Sequence, residues 1–197
     1  MATESSPGSP RDRPGIVLGC PFVEFRLEHA FDATLAEMEA VLLADPGLFA
    51  MLEDAMPGIE EVRLLDQQDD GRVLTRRVRY VPHGKIPGFA KRFITREMTS
   101  WVEVSRYDRA RARFDYEIQP SIPEKWRDRF ESAGSYTLTP AAGGAGKVHR
   151  VIDGRVVIRA AVVGGLAERF LVAEVKKNFE HEALGLQQHL LRRKDNG

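Results

Sequence analysis

The sequence predicts an α+β fold: one antiparallel sheet of about seven strands, two short helices after the first strand, and one long C-terminal helix. Three observations carry this reading. A period-two apolar pattern recurs from residue 59 to residue 160, two short helical patterns precede it, and a long run stepping by three and four residues follows Gly165.

The 197 residues suit a single domain, expected over 16–194, after a mobile tail at 1–15 that carries Pro7, Pro10 and Pro14 and no apolar periodicity. In the first strand Val23, Phe25, Leu27 and His29 share one face, opposed to Glu24, Arg26 and Glu28. Asp32 stands where an N-cap is expected, and Leu35, Met38, Leu42 and Leu43 follow at helical spacing until Asp45-Pro46 breaks the run. A second short helix is expected over 48–56, closed by Pro57-Gly58.

Val62 and Leu64 share a parity with Leu74, Val78 and Tyr80, which requires an odd connection between the two strands. Asp69-Asp70-Gly71 supplies it as a three-residue hairpin loop, with Gly71 in the left-handed position. A strand over 92–104 places Ile94, Met98, Val102 and Val104 on one face. The next places Ala110, Ala112, Phe114, Tyr116 and Ile118 opposite Arg109, Arg111, Arg113, Asp115 and Glu117. One dry and one wet sheet face follow. Beyond a proline-punctuated segment at 120–130 come Gly134, Tyr136 and Leu138, a loop at 140–146, and then Val148, Ile152, Val156 and Ile158.

The last element is amphipathic over about 165–191, with Leu171, Val175, Phe179, Ala183, Leu186 and Leu190 on one stripe and the cations Arg192, Arg193 and Lys194 at its end. Gly185 inside it costs about 1 kcal/mol relative to alanine, which predicts a close approach to another element or a local bend.

The 29 basic residues balance 29 acidic ones, so no global charge points to nucleic acid or an anionic membrane. Cys20 is the only cysteine, and no signal peptide or span of about 20 apolar residues is present, so a cytoplasmic location and no integral membrane association are expected. The histidines, His29, His83, His149, His181 and His189, lack metal-site spacing, and no metal or cofactor is expected. His29, on the apolar parity of its strand, is the candidate for a buried role. Gly143-Gly144-Ala145-Gly146-Lys147 departs from a phosphate loop at Ala141 and Val148 and reads as a flexible loop. Gly164-Gly165 at the entry of the long helix is explained by a tight turn as well as by an anion site. Trp101, opposite Met98 in parity, is expected on the convex face or beneath the 120–130 segment.

The element order resembles the START-like (SRPBCC) superfamily, the helix-grip domains, over roughly residues 17–191; more narrowly it is similar to an uncharacterised bacterial branch. The carrying residues are Phe25 and Leu27 leading into Phe31-Asp32-Ala33, then Ile86-Pro87-Gly88-Phe89 ahead of Trp101. Last is the run Ile158-Arg159-Ala160-Ala161-Val162-Val163-Gly164-Gly165-Leu166-Ala167-Glu168. The resemblance implies a strongly curved sheet gripping the long helix, with a cavity for hydrophobic small molecules between them. It supplies no catalytic motif.

The candidate lining is Leu74, Val78, Tyr80, Met98, Phe114, Tyr116, Ile118, Tyr136, Val156 and Ile158 from the sheet, with Phe170 and Phe179 from the helix. Simple core packing would explain each of them equally well. Arg76 and Arg96 carry the parity of the apolar face, and a buried guanidinium must find a carboxylate, reach the rim or meet an anionic ligand group. Three functions fit: a non-catalytic binder or carrier of a lipid-like molecule; a cyclase/aromatase-type enzyme using Tyr80, Tyr116, His29 or Arg96; and a protein-interaction module. The first is the favoured expectation, and the oligomeric state is not readable.

Overall fold

The computed structural model describes residues 23–84, 88, 95, 97–142, 146–159 and 164–195. The expected tail, the domain start near Ile16, Ile86-Pro87, Phe89, Ile94, Arg96 and the glycine loop at 143–145 lie outside the described residues. The chain runs β1 (Val23–Phe31), α1 (Leu35–Ala44), α2 (Leu48–Ala55), β2 (Ile59–Asp69), β3 (Val73–Pro82), β4 (Trp101–Asp108), β5 (Arg113–Pro120), β6 (Phe130–Pro140), β7 (Val148–Ile158) and α3 (Gly164–Asp195). Short 3₁₀ turns at Glu97–Thr99 and Glu124–Arg129 precede β4 and β6. All neighbouring strands are antiparallel, in the order β1-β7-β6-β5-β4-β3-β2. This is the helix-grip architecture, a curved sheet closed over by α3. No described helix is long and apolar enough to cross a membrane.

Thr34, not Asp32, caps α1. Its hydroxyl accepts from the Glu37 amide at 3.2 Å while its own amide donates to the Glu37 carboxylate at 2.6 Å, a reciprocal box that Asp32 is two residues too early to make. Asp45 at the other end of α1 is buried and gathers three donors: the Gly47 amide and His189 Nε2, both at 2.8 Å, and Arg193. It ties the α1–α2 turn to the last turns of α3. Burial pushes the Asp45 carboxyl up, but His189, the Gly47 amide and Arg193 together hold it below its ordinary value.

Three strand expectations need correction. Asp69 faces Leu74, an even spacing, so the odd residue is not in the hairpin loop; it is a bulge between Leu64 and Asp66. Gly71 nonetheless takes φ +83°, and the Asp70 carboxylate closes the turn by accepting from the amides of Arg72 and Val73. β4 begins only at Trp101, after the 3₁₀ turn has broken the phase from Met98. Trp101, Glu103, Ser105 and Tyr107 therefore face inward, while Val102 and Val104 pair with Arg79 and Arg77 on the charged outer face. Finally, residues 109–112 form the turn before β5, so Ala110, Arg109 and Arg111 are not strand residues.

Sheet curvature has a local cause in one cross-strand row, Tyr116–Gly134–Gly154–Phe25. A Cβ on Gly134 would lie 2.4 Å from the Tyr116 hydroxyl oxygen, and one on Gly154 would lie 2.3 Å from Phe25 Cζ. Both rings lean over the vacant glycine faces, which only glycine permits. Gly185 answers the expectation of close approach: a Cβ there would sit 2.4 Å from Ala55 Cβ, where α2 crosses α3.

The main core lies where α1 and α2 cover one end of the sheet, with Phe31, Met38, Val41, Leu74, Tyr107 and Leu138 fully enclosed. A smaller cluster joins Phe25, Ile152 and Val156 to Val172 of α3. Between the two the sheet and helices do not meet.

Candidate functional site

That gap is a cavity of ≈ 1230 Å³ between the concave face, α2 and α3. Period-two alternation supplies its floor. Arg76, Val78 and Tyr80 come from β3, Trp101, Glu103 and Ser105 from β4, Phe114, Tyr116 and Ile118 from β5, Ser132 and Tyr136 from β6, and Val156 and Ile158 from β7. Phe170, Leu171, Glu174, Val175, Phe179 and Glu182 on successive turns of α3 form the roof. Glu168 fixes where that roof begins: it is 1% exposed and accepts the Ile158 amide at 2.7 Å, joining the start of α3 to the end of β7.

Of the sequence-predicted lining, Arg76, Val78, Tyr80, Met98, Phe114, Tyr116, Ile118, Tyr136, Val156, Ile158, Phe170 and Phe179 are on this wall. Leu74 is not. It lies 1% exposed in the core beneath the first helix pair, in one row with Tyr107 and Phe114, because α1 covers that end of the sheet. Arg96 lies outside the described residues. Trp101 is on the cavity wall, not on the convex face; Pro120 is its cross-strand neighbour, Ile122 and Trp126 line the same cavity, and its ring stacks on Tyr80 with centroids 5.3 Å apart. His29 is buried as anticipated but is not on the wall; it belongs to a polar cluster behind it.

That cluster is centred on Arg150, which is 0% exposed. Arg150 Nη1 donates to Glu182 at 2.9 Å, and Nη2 is 3.3 Å from His29 Nδ1, whose other nitrogen lies 3.5 Å from Glu180. The guanidinium carbon also lies 5.4, 5.5 and 5.9 Å from the ring centroids of Phe31, Tyr136 and Phe179. Burial and then the Arg150 charge hold His29 below its ordinary value.

Arg76 has a different setting. It is 6% exposed, its Nη2 donates to the Leu42 carbonyl at the end of α1 at 2.5 Å, and its guanidinium lies 5.9 Å from the Phe49 ring. Among the described residues no carboxylate is within ion-pair distance of it, and its Nε has no hydrogen-bond partner. Ser105 faces it directly across β4, and Glu103 is one inward position further along. Burial, reinforced by the Glu182 charge and opposed by Arg76 and a hydrogen bond from Ser105, pushes the Glu103 carboxyl up to about 7. Tyr80 and Tyr136 are raised well above their ordinary values, first by burial. The wall is thus mostly apolar and aromatic, with un-ionised phenols, Arg76 as its buried cation and Glu103 as a carboxyl near neutrality, while Arg129 and Lys177 line it from exposed positions and Glu174 and Glu182 from the roof.

The chain belongs to the family described as "Protein of unknown function (DUF2505)", whose model matches residues 26–190. No curated protein matches it by sequence. Solved structures share the fold at low identity. The Zhui aromatase/cyclase from Streptomyces sp. R1128 has a TM-score of 0.63 at 18% identity, covering 88% of this chain and 96% of its own. TTHA0849 from Thermus thermophilus has a TM-score of 0.62 at 14% identity, covering 87% and 99%. Norcoclaurine synthase from Thalictrum flavum has a TM-score of 0.54 at 16% identity, covering 96% and 99%. The chain therefore shares the helix-grip fold of these structures.

Proposed function

We propose that this DUF2505 protein binds or carries a hydrophobic or amphiphilic small molecule, lipid-like in character, in the cavity beneath α3, without catalysing its conversion. The observation that carries this reading is the ≈ 1230 Å³ of space walled by Val78, Ile118, Val156, Phe170 and Phe179, where close packing would otherwise be expected. Both tryptophans of the chain, Trp101 and Trp126, line that space and report on its contents.

Titration with dodecan-1-ol and with dodecanoate tests it through their emission. A saturable one-to-one change is expected, weakened about tenfold or more by Ala167→Phe, which narrows the cavity wall next to Phe170. Emission that fails to saturate with either probe, or equal binding by the variant, would contradict cavity binding.

One observation favours a second reading, an enzyme of the cyclase/aromatase kind such as the Streptomyces fold neighbour. Glu103, with its carboxyl near 7 inside an apolar pocket and close to Arg76, has the acidity that proton transfer to an enolisable substrate needs. Glu103→Gln separates the two: a carrier keeps its ligand affinity, whereas an enzyme keeps binding and loses turnover.

A further inference from the structure

Among the described residues two arginines are buried on the inward face of the sheet, and only one of them is in an ion pair. Arg150 meets Glu182, whereas Arg76 meets a neutral carbonyl and an aromatic ring and lines the cavity. An unmatched guanidinium in an apolar wall is costly, and the Leu42 carbonyl accepts only one of its five N–H donors. The Leu42 and Phe49 contacts also fix the side chain against the end of α1 and the start of α2, so it is held in place ahead of any ligand.

From this we infer that the cavity is selective for hydrophobic molecules that carry one anionic oxygen group, a carboxylate or its equivalent, seated on Arg76 and Ser105 with the apolar body running along Val78 and Ile118. The inference rests on the cavity-binding reading and adds the chemistry of the head group. Ser105, 6% exposed, lies directly across from Arg76; its hydroxyl bonds the Glu103 carboxyl, and when Glu103 is protonated it can accept that proton's hydrogen bond and turn its own O–H to the ligand.

Glu103 is the group that could oppose it. The charged and titratable groups acting on it are Glu182 from α3, Arg76 and Tyr80 from β3, Tyr116 from β5 and Tyr136 from β6, with Ser105 on its own strand. With the carboxyl raised to about 7, Glu103 is for the larger part protonated at pH 6.5 and opposes an anion there less than an ordinary carboxylate would. Of the other cations near the cavity, Arg150 is occupied by Glu182 and is off the wall, and Arg129 and Lys177 line it only from exposed positions, where water already solvates their charge. A cationic ligand would have to displace the Glu103 proton and sit against Arg76.

Calorimetric titration at pH 6.5 with dodecanoate, dodecan-1-ol and dodecylammonium decides it on the unaltered protein. Dodecanoate is expected to bind at least about tenfold more tightly than the alcohol, with the ammonium weakest. Arg76→Gln should bring dodecanoate down to the affinity of the alcohol and leave the alcohol within about threefold of its original value. Equal affinities for acid and alcohol, tightest binding of the ammonium, or an Arg76→Gln variant that weakens acid and alcohol alike would each overturn the inference while leaving cavity binding in place. Failure of all three probes to bind would overturn cavity binding and the inference with it. The ranking needs no variant, so it stands whether or not Arg76→Gln folds.

Discussion

Arg76 on β3 and Arg150 on β7 occupy the same face of one sheet, both with a buried Nε that lacks a partner, yet they are set in opposite ways. Arg150 is closed in by Glu182, His29 and three aromatic rings; Arg76, among the described residues, contacts the Leu42 carbonyl and the Phe49 ring, has no ion-pair partner and opens on the cavity. Where α3 packs down on the sheet, the buried cation is neutralised from within the chain. Where α3 stands off, it is not. The difference separates a cation that holds the fold together from one that is available to something else.

The largest expected effect comes from breaking the matched side. Arg150→Met leaves Glu182 as an uncompensated, largely enclosed carboxylate and removes the fully buried centre of the cluster, and should destabilise the protein by about 3 kcal/mol in urea denaturation. A loss under about 1 kcal/mol would mean that Arg150 is no more structural than Arg76.

The next effect is in pH. Glu103 has a folded pKa raised to about 7 from an ordinary 4.5, so its folded form favours the proton. The corresponding stability is fully present below about pH 4.5 and is lost as pH rises through about 7, on the order of a few kcal/mol. Glu103→Gln should flatten that part of the stability profile; an unchanged slope between pH 5 and 8 would show that Glu103 is not buried as described.

Asp45 has the opposite sign. Its lowered carboxyl stabilises the fold above its ordinary value of 3.8, and that contribution is lost as pH falls through the lower folded value. Because Asp45 ends the helix that presents Leu42 to Arg76, Asp45→Asn should cost about 1–3 kcal/mol at neutral pH and slacken the hold on Arg76. Thermal denaturation across falling pH checks it: the cost should be constant near neutrality and shrink as pH falls below the ordinary 3.8, and a cost with no dependence on pH would rule out the ionised carboxylate as its source.

The smallest effect should be at the unmatched side itself. Arg76→Met removes a charge that has no ion-pair partner among the described residues and orphans one carbonyl, and the two changes should leave stability within about 1 kcal/mol of the parent. A loss as large as that of Arg150→Met would erase the distinction between the two.

Much of this is legible in the sequence, for reasons that differ by element. Helix α3 shows itself because Leu171 to Leu190 keep one stripe over many turns, and the inward faces of β3, β5 and β7 follow from uninterrupted alternation. Arg76 stands out as a cation on an apolar parity. Arg150 gives the same signal between Val148 and Ile152, but those apolar neighbours complete the strand pattern without it and mask the cation.

Glu103, Ser105 and Trp101 fall on the wrong face when the sequence is read alone. The apolar residues Met98, Val102 and Val104 look like one continuous strand, and a single 3₁₀ turn at Glu97–Thr99 shifts the phase without leaving a mark in the residue types. The bulge at Leu65 is hidden for a similar reason, since an odd hairpin loop would give the same parity. The capping residue is discoverable: Thr34 has Glu37 three positions on, and Asp32 has no such partner. What no periodicity carries is the cavity, because packed and unpacked apolar faces read alike in sequence.

The most direct test is a crystal structure of the protein grown with dodecanoate. The expected result is one molecule under α3 with a carboxylate oxygen about 2.7–3.2 Å from a nitrogen of the Arg76 guanidinium and its chain against Val78 and Ile118. A cavity closed by the protein's own side chains, or dodecanoate bound only on the outer surface, would contradict it.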